Sequence, residues 1–509
     1  MQGTQSPNRS FIAPTRWALA LVLALLLGLG LAVRLFDLTD LPLDFHPTRQ
    51  LFAALKARAM YYQTAPGIPD WKRDITIRQY ETEATIEPPI LESLVAATYR
   101  LTGEHLWIAR IYSSIFWILG GVFLFLLARN LLSLDGALVA LAIYLFLPYA
   151  VIASRSFQPD PLMVMLILLC LWSAVRWNRD AGWGWTVLAG LSGGAAVFIK
   201  FTAVFFVAAA LLWAVLDRFS LKQALTKVQV WAMALLSILP AGGYLLYGLY
   251  FADTLSSQFS GRFFPAMWID PFFYFRWEGK IALLLGHVGL ALALLGLMFL
   301  RSRRSQNFVL ALWAAYFIFG MIFDFHISSH DYYSLPLIPI AALSLAGMGQ
   351  EMLQGLAEAV SGSSWRRAVA RLLLLFVVVM TVWDVRVQMK SVDYRPQEAY
   401  WASIGQALDH SASVIALTQD YGYPLVYWGF QKATIWPDYG DLQYRDRAGK
   451  SNFASRFQNL TRKKAYFLVT DFNEFQYQPE LKEYLYGQYP IYLQGEGFVV
   501  FDLTHPLTP

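Results

Sequence analysis

The stretch RIYSSIFWILGGVFLFLLARNL, residues 110–131, decides the fold class, because its only charged side chains, Arg110 and Arg129, stand near its ends. About 20 mostly apolar residues in a helix cross the ~30 Å hydrocarbon core of a bilayer. Similar stretches recur along the first three quarters of the 509 residues, which are 57% hydrophobic and only 15% charged. Soluble domains carry about 25% charged residues. The sequence therefore predicts an α-helical polytopic membrane protein.

Apolar segments along the chain predict about eleven transmembrane helices. The segments cover residues 17–34, 107–128, 134–153, 161–176, 184–199, 201–217, 229–251, 280–300, 307–325, 333–350 and 368–386. Beyond them, β-rich runs such as SVIALTQD and KKAYFLVTDF alternate with helical runs. We therefore predict a transmembrane domain over 1–386 and an extracytoplasmic α/β domain over 387–509. The first extracytoplasmic loop, 35–106, is expected to carry amphipathic surface helices.

Lys and Arg cluster on alternate connections between these segments, which places those connections in the cytoplasm. The N-terminus is then cytoplasmic, and its apolar run favours an uncleaved signal anchor over a cleaved signal peptide, since it lacks a clear cleavage site. The expected location is the inner (plasma) membrane. Every polar cluster described below falls on the extracytoplasmic side.

Charge and cysteine content exclude several classes of function. A net charge of +5 is small for this length, so nothing supports nucleic-acid binding. Cys170 is the only cysteine, which excludes a disulfide framework and a cysteine metal site. Redox chemistry is therefore not expected.

The first polar cluster is DFHPTRQ, residues 44–50, where the chain leaves its first apolar segment. Asp44 or His46 offers a general base, and Arg49 offers a cation for a phosphate. The alternative is that Asp44 and Arg49 only cap or ion-pair a helix that begins near Thr48. Charges alone do not decide between these interpretations.

The second cluster is RSFQPDP, residues 155–161, which contains Arg155, Gln158 and Asp160. Asp160 precedes a proline, as a simple helix N-cap does. Its alternative role is that of a second carboxylate, which orients an acceptor nucleophile while the acid of the first cluster takes the proton.

The third cluster is HISSHDYYSLP, residues 326–336. His326 and His330 have the i, i+4 spacing of metal ligands on a helix, and Asp331 adds a carboxylate. A contact to a donor phosphate or sugar is the favoured interpretation, because no further carboxylates or histidines complete a metal set. Tyr332 is also typical of an interfacial aromatic belt.

Two cations lie apart from these clusters. Lys200 stands between two short apolar segments, where a lysine either snorkels to the interface or meets a phosphate; alone, its position favours snorkelling. Arg262 lies in the aromatic loop 252–279.

The order of these motifs resembles that of the membrane GT-C glycosyltransferases. DFHPTRQ is followed by EPPI at 87–90, the segment 110–131, SRSFQPDPLMVML, GGAAVFIKFTAVFF and HDYYSLPLIPIAAL. This order is similar to that of the group containing protein O-mannosyltransferases and the lipid A aminoarabinose transferase, over about residues 17 to 350. The C-terminal part is similar only in general form.

The resemblance implies transfer of a sugar from a polyprenyl-phosphate donor by an inverting displacement. In that family a carboxylate of the first loop is the base; counting back from Arg49, the phosphate-binding arginine, places His46 at this position, while Asp44 is the only carboxylate nearby. We prefer Asp44 and keep His46 as the competitor. Asp160 matches the second acid. The resemblance and the clusters together predict the substrate-binding residues Arg49, Gln50, Glu87, Arg155, Gln158, Lys200, Arg262, His330, Asp331 and Tyr332.

The chain departs from this family at Glu87, where relatives of the lipid A enzyme have a lysine. This removes one expected phosphate cation and leaves Lys200, Arg155 or Arg262 as substitutes. No cofactor and no essential metal are expected, since the acids look too sparse for the metal-dependent oligosaccharyltransferase branch.

The predicted function is therefore transfer of a sugar from a polyprenyl-phosphate donor to a protein, lipid or polysaccharide acceptor at the extracytoplasmic face. The competing interpretation is a transporter or flippase of lipid-linked sugars, although such folds often contain internal repeats and mid-bilayer polar residues. A compatible third interpretation makes the C-terminal domain a peptide- or glycan-binding module that recruits the acceptor.

Overall fold

The structure is a computed structural model. It describes residues 10–83, 87–251, 263–410, 412–442 and 452–507. The helices are α1 Arg16–Arg34, α2 Pro47–Tyr62, α3 Asp70–Thr82, α4 Ile90–Thr102, α5 Trp107–Leu131, α6 Leu134–Phe146, α7 Pro148–Ala153, α8 Asp160–Asp180, α9 Trp183–Ile199, α10 Val204–Leu216, α11 Leu221–Leu225, α12 Val228–Tyr250, α13 Pro271–Gly296, α14 Arg303–Ile322, α15 Asp324–Ser329, α16 Leu337–Ala359, α17 Ser364–Met389, α18 Pro396–Ala407, α19 Tyr423–Tyr427, α20 Phe453–Thr461, α21 Phe472–Gln476 and α22 Pro479–Gln488. The strands are β1 Val414–Leu417, β2 Ala433–Ile435, β3 Tyr466–Val469, β4 Ile491–Gly495 and β5 Phe498–Asp502.

The chain divides into two compact units. The membrane unit contains residues 1–39, 84–91 and 107–392, and the sheet unit contains residues 40–83, 92–106 and 393–509. Helices α2 and α3 and most of α4, which belong to the first predicted loop, are thus members of the sheet unit.

Seven helices of the described residues are long and apolar enough to cross a membrane. They are Arg16–Arg34, Trp107–Leu131, Asp160–Asp180, Val228–Tyr250, Pro271–Phe299, Arg303–Ile322 and Ser364–Met389. This confirms the predicted class of multi-pass helical membrane protein, and each lies where an apolar segment was predicted.

The other four predicted segments are helical but do not meet that criterion, so the count of about eleven stays a prediction. Segment 134–153 is divided between α6 and α7, because Pro148 lacks the backbone N–H that a continuous helix needs. Helix α9 has 17 residues, and α10 has 13 after a turn of 3₁₀-helix at Phe201–Ala203. The fourth, α16, is 23 residues long and carries Glu351 and Glu358 near its C-terminal end.

Helix α9 packs closely against α12. This packing fixes the C-terminal end of α9, which Lys200 follows. A Cβ atom added at Gly194 would collide with the backbone carbonyl of Leu236, and one added at Gly190 would lie 2.7 Å from the side chain of Leu236. Small residues four apart let membrane helices approach this closely.

The sheet unit contains a five-stranded sheet in the order β2-β1-β3-β5-β4. β1 pairs in parallel with β2 and β3, whereas β5 pairs antiparallel with β3 and β4. Its core is built from Ile415, Leu417, Trp436, Phe457, Phe467, Val469, Phe475, Leu481, Leu485, Val499 and Phe501. These strands and α18, α20 and α22 occupy the runs from which an α/β domain was predicted, which confirms this part of the fold class.

Helix α2 begins where the first loop was predicted to become helical, but it does not have a water-exposed basic face. Residues Gln50, Leu51 and 53–59 are buried, including Lys56 and Arg58. The Arg58 guanidinium lies 2.7 Å from Glu104 and donates to the backbone carbonyl of Tyr427. A buried charge needs such partners, because an unpaired one carries a large desolvation cost.

Candidate active site

The membrane unit contains a buried ion pair between Lys200 and Asp160. The Lys200 Nζ atom lies 2.9 Å and 3.1 Å from the two carboxylate oxygens of Asp160, and 3.9 Å from Oε1 of Glu87. The side chains of Lys200 and Asp160 are only 4% and 1% exposed. The snorkelling interpretation of Lys200 is therefore wrong, because the partners that retain the ammonium group come from 40 and 113 residues earlier in the chain.

Local backbone geometry places both partners. Lys200 follows the last residue of α9 in an extended conformation, with φ −153°, before the 3₁₀ turn that leads into α10. Asp160 is the first residue of α8, and the N-cap position is occupied by Pro159. The simple N-cap interpretation of Asp160 is therefore wrong, since both of its oxygens contact Lys200 instead.

Aromatic rings of the third cluster face the same ammonium group. Tyr332 and Tyr333 lie in the 3₁₀ turn Asp331–Ser334, and the Lys200 Nζ atom is 5.1 Å and 4.6 Å from their ring centres. These distances allow cation–π attraction. The structure thus brings Tyr332, Asp160, Glu87 and Lys200 together in the membrane unit.

The two histidines of the third cluster are not on one helix. His326 lies in α15, whereas His330 follows its end with φ −125°. Their rings are 6.3 Å apart, and the His330 Nδ1 atom lies 2.7 Å from the Ser329 hydroxyl. Asp331 accepts a hydrogen bond from the backbone N–H of Tyr332 at 2.9 Å. Within the part of the chain that the structure describes, no group of three or more His, Cys, Asp or Glu could hold a metal ion.

An apolar cavity of about 440 Å³ adjoins the lysine. Its lining is mainly aliphatic and aromatic, with side chains such as Phe198, Phe205 and Leu245, and its charged lining residues are Glu87 and Lys200. A cavity of this kind suits a ligand with a hydrocarbon body and an ionic end.

Arg155 and Gln158 lie in the same loop as Asp160. Arg155 is 2% exposed and donates to the backbone carbonyls of Phe36 and Asp37 at 2.8 Å and 3.0 Å, which fastens the end of α1. Gln158 is 1% exposed, and neither polar atom of its amide has a hydrogen-bond partner among the described residues. Since buried amides are normally paired, Gln158 is available to a ligand. Arg262 lies outside the described residues.

The first cluster belongs to the sheet unit, at the start of α2. His46 is the N-cap residue with φ 46°, a left-handed conformation that is uncommon outside glycine, and its own side chain makes no capping hydrogen bond. The N-cap position thus belongs to His46, and the capping or ion-pairing of this helix by Asp44 and Arg49 stays an interpretation. Gln50 is fully buried, and its Nε2 atom donates to the carbonyl of Phe45 at 2.6 Å and lies 3.4 Å from Asp44 Oδ1. Arg49 lies over the ring of Phe52 at 6.0 Å.

Sequence reasoning missed a carboxylate that accompanies this cluster. Asp420 follows β1 in three successive left-handed residues, Asp420, Tyr421 and Gly422, with φ 51°, 52° and 76°. Burial, together with the charge of Asp471, raises the pKa of Asp420 to about 6, and the charge of His46 offsets part of this rise. Asp420 and Asp471 both follow strands that run in parallel, and ligands of open α/β sheets bind beyond the carboxyl ends of such strands. This rule was the signal available in the sequence.

Asp420→Asn is expected to raise the free energy of unfolding near pH 7 by ~2 kcal/mol, because the carboxyl loses its proton there at a cost in the folded state. The raised pKa means that the folded protein binds more protons than the unfolded chain between the ordinary value of 3.8 and about 6. Stability due to this group therefore falls as pH rises through that window. Thermal unfolding of the detergent-purified protein at about pH 7 and about pH 4 measures this, and the gain is expected to shrink at the lower pH.

Asp70→Asn is the matched control, since Asp70 is an exposed carboxyl of the same unit. It is expected to leave the melting temperature unchanged at both pH values. A destabilised Asp420→Asn protein at neutral pH would contradict the assignment of a costly buried charge.

The fold is that of a multi-pass helical membrane protein, and the solved structures described below share it as a GT-C fold. A sequence profile described as dolichyl-phosphate-mannose-protein mannosyltransferase matches residues 86–244. No curated protein matches the chain.

Solved structures share the fold at low sequence identity. ArnT from Cupriavidus metallidurans bound to undecaprenyl phosphate is 16% identical with a TM-score of 0.56, covering 95% of this chain and 97% of that chain. Its apo state is 17% identical with a TM-score of 0.59, covering 95% and 98%. The archaeal oligosaccharyltransferase AglB from Archaeoglobus fulgidus, in complex with an inhibitory peptide and a dolichol-phosphate, is 14% identical with a TM-score of 0.53, covering 96% and 74%.

Proposed function

We propose that this protein is a glycosyltransferase that moves a sugar from a polyprenyl-phosphate donor to an acceptor at the extracytoplasmic face of the inner (plasma) membrane. The observation that carries the proposal is the apolar cavity lined by the buried Lys200. An isoprenoid tail needs apolar walls, and its phosphate needs a cation in a place with little water. Two structural neighbours bind lipids of this chemistry, undecaprenyl phosphate and dolichol-phosphate.

In this proposal Lys200 stabilises the phosphate of the donor. At rest its charge is balanced by Asp160 and Glu87, which holds the ammonium group in place inside the protein. A fixed cation is more effective than a mobile one, because it requires no reorganisation when charge develops on the leaving phosphate. Lys200 thus takes the place of the lysine that the resemblance led us to expect at position 87.

Asp160 acts through Lys200. Both of its oxygens lie within hydrogen-bond distance of the ammonium group, so its main role is to position that cation. Orientation of the acceptor, the role suggested by the sequence, would use the remaining lone pairs. Gln158 supplies an unpaired amide for a sugar or acceptor hydroxyl.

The first cluster supplies the base. Asp44, or His46 in its place, removes a proton from the acceptor hydroxyl or amine as the acceptor attacks the anomeric carbon. The new bond from acceptor to anomeric carbon forms while the bond from that carbon to the phosphate oxygen breaks, and the bonding electrons leave with the phosphate. A single displacement of this kind inverts the anomeric centre. Arg49 binds phosphate, and Gln50 holds the loop that carries Asp44.

The remaining predicted residues have supporting roles. His330 and Asp331 contact the sugar or phosphate, and Tyr332 flanks the Lys200 cation. Arg155 orders the loop next to Asp160 through its bonds to the backbone of 36–37. We further propose that the N-terminus is cytoplasmic, that the sheet unit is extracytoplasmic and that no metal ion is required, since Lys200 and Arg49 supply the positive charge.

A transporter of lipid-linked sugars is the second candidate, because it also needs an apolar cavity with an ionic residue. It differs in its product: a transporter moves the intact lipid-linked sugar across the bilayer, whereas a transferase releases polyprenyl phosphate. Analysis of the lipid product therefore separates the two functions.

The donor site is tested by native mass spectrometry of the purified protein with undecaprenyl phosphate and with undecaprenol. The proposal predicts that the phosphate raises affinity at least about tenfold, because it pairs with the buried Lys200. A bilayer phospholipid in excess is the control and is expected not to displace the undecaprenyl phosphate. Equal binding of the alcohol and the phosphate would contradict a phosphate site.

A further inference from the structure

A second cavity lies wholly within the sheet unit. Its volume is about 990 Å³, and it is lined by one side of α3 and by residues 409, 410, 412 and 430–432. None of the residues assigned above to sugar transfer lines it. The proposed sugar transfer therefore does not account for this cavity.

The cavity has a rigid aromatic surface. The indole of Trp71, 43% exposed, stacks on the ring of His410 with centres 4.6 Å apart and an angle of 25°. Phe430 meets the indole edge-on at 5.7 Å. His410 is held by a 2.8 Å hydrogen bond from its Nδ1–H to the carbonyl of Gly429. The exposed part of the indole is thus a fixed flat surface.

The backbone around this surface is strained. Asp409, His410 and Phe430 have φ values of 52°, 53° and 49°, in the left-handed region that non-glycine residues rarely adopt. Strain of this kind persists where the surrounding structure fixes it, and it is common at ligand sites. Here the left-handed conformations place the rings of His410 and Phe430 against the ring of Trp71.

A buried polar side chain lacks a partner in the same cavity. Gln79 lines the cavity and is 4% exposed, and neither its amide oxygen nor its amide nitrogen is hydrogen-bonded within the described ranges. Buried amides are rarely left unpaired. A ligand that both donates and accepts hydrogen bonds would satisfy the two atoms together.

The charges around the cavity are mixed. Its carboxylates are Asp74, Glu81 and Asp409, and its cations are Arg78 and Lys432. A nearly balanced set does not favour a phosphate or a polyanion. It suits hydroxyl groups, which donate to carboxylates and accept from guanidinium and ammonium groups.

We propose that this cavity binds a neutral hexose ring of an extracytoplasmic glycan, at a site separate from that of sugar transfer. The apolar C–H face of the sugar lies on the exposed indole of Trp71, as apolar groups pack on aromatic faces. Its hydroxyls bond to Gln79, Arg78 and the carboxylates. The sheet unit thereby holds a glycan independently of the lipid donor.

Saturation-transfer NMR on the full-length protein in detergent, without donor, tests this site with mannobiose, maltose, cellobiose and chitobiose. At least one disaccharide is expected to bind saturably. Trp71→Ala is expected to weaken that binding about tenfold or more, because the stacking surface is lost. Arg78→Ala, an exposed position whose loss does not threaten the fold, is expected to weaken it as well.

Tyr477→Ala is the matched control, since Tyr477 is an aromatic residue of the same unit that is 64% exposed and does not line the cavity. It is expected to bind the disaccharide as the unmodified protein does. The proposal is overturned if none of the four disaccharides binds saturably, if Trp71→Ala binds equally well, or if only a peptide such as tetra-alanine or an anionic sugar such as glucuronate competes at this site. The experiment contains no donor, so its result does not depend on whether the protein is a glycosyltransferase.

Discussion

Lys200→Met is expected to reduce transfer from a polyprenyl-phosphate sugar by about 100-fold or more, since removal of one preorganised stabilising group costs that much in other enzymes. The lost cation no longer neutralises the leaving phosphate. The substitution also leaves Asp160 buried without its partner, which destabilises a protein by about 3–5 kcal/mol. The measurement is the initial transfer rate in proteoliposomes, together with thermal unfolding of the same preparation.

Two further variants separate catalysis from folding. Asp160→Asn combined with Lys200→Met removes both charges and is expected to recover stability without recovering transfer. Lys390→Met is the matched control, because Lys390 pairs with Asp37 at 2.8 Å but is 49% exposed. Its rate is expected to match that of the unmodified protein. Wild-type transfer by the double variant would show that Lys200 serves the fold alone.

Asp44→Asn is expected to lower kcat by about 10²–10⁴-fold, because the amide cannot accept the proton of the acceptor. Donor binding, measured with undecaprenyl phosphate, is expected to be unchanged, since Asp44 does not contact the phosphate in this proposal. A lowered kcat together with an unchanged donor affinity would distinguish a general base from a residue that only holds the loop.

His46→Gln and Asp70→Asn complete that comparison. His46→Gln is expected to retain most of the rate if Asp44 is the base, and Asp70→Asn is expected to retain all of it. A large loss in His46→Gln with normal transfer by Asp44→Asn would assign the base to His46. Normal transfer by both variants would contradict the proposed mechanism.

The fold was predictable where a single periodic signal extends over many residues. Apolar segments such as 110–131 located the long helices, and the run KKAYFLVTDF located β3, because burial and strand propensity agree there. Short elements could not be predicted from the sequence. Strand β2, for example, has only three residues, all partly buried, so it has no clear alternation of buried and exposed residues.

The charged residues were less predictable, because their state depends on partners distant in sequence. Lys200 has the surroundings of a snorkelling lysine unless Asp160 and Glu87 are known to approach it. Arg58 likewise has the spacing of an exposed basic residue, but Glu104 and Tyr427 enclose it. Hydrophobic periodicity contains no information about such pairs, which the tertiary fold alone creates.

The candidate site was likewise only partly predictable from the sequence. The resemblance identified Asp160 and the first cluster from their order in the chain. It did not identify Asp420, which lies beyond the matched region and joins His46 only through the fold of the sheet unit. Nor did it foresee that Gln158 would be buried with an unpaired amide.

The most direct test of the central claim is product analysis after reconstitution. The purified protein in proteoliposomes is supplied with radiolabelled undecaprenyl-phosphate sugars and with a membrane and envelope extract as the source of acceptors. The account predicts that one donor is converted to undecaprenyl phosphate while its label becomes covalently attached to an acceptor, and that Lys200→Met abolishes both changes. Passage of intact lipid-linked sugar across the bilayer, with no release of undecaprenyl phosphate and no labelled acceptor, would contradict it.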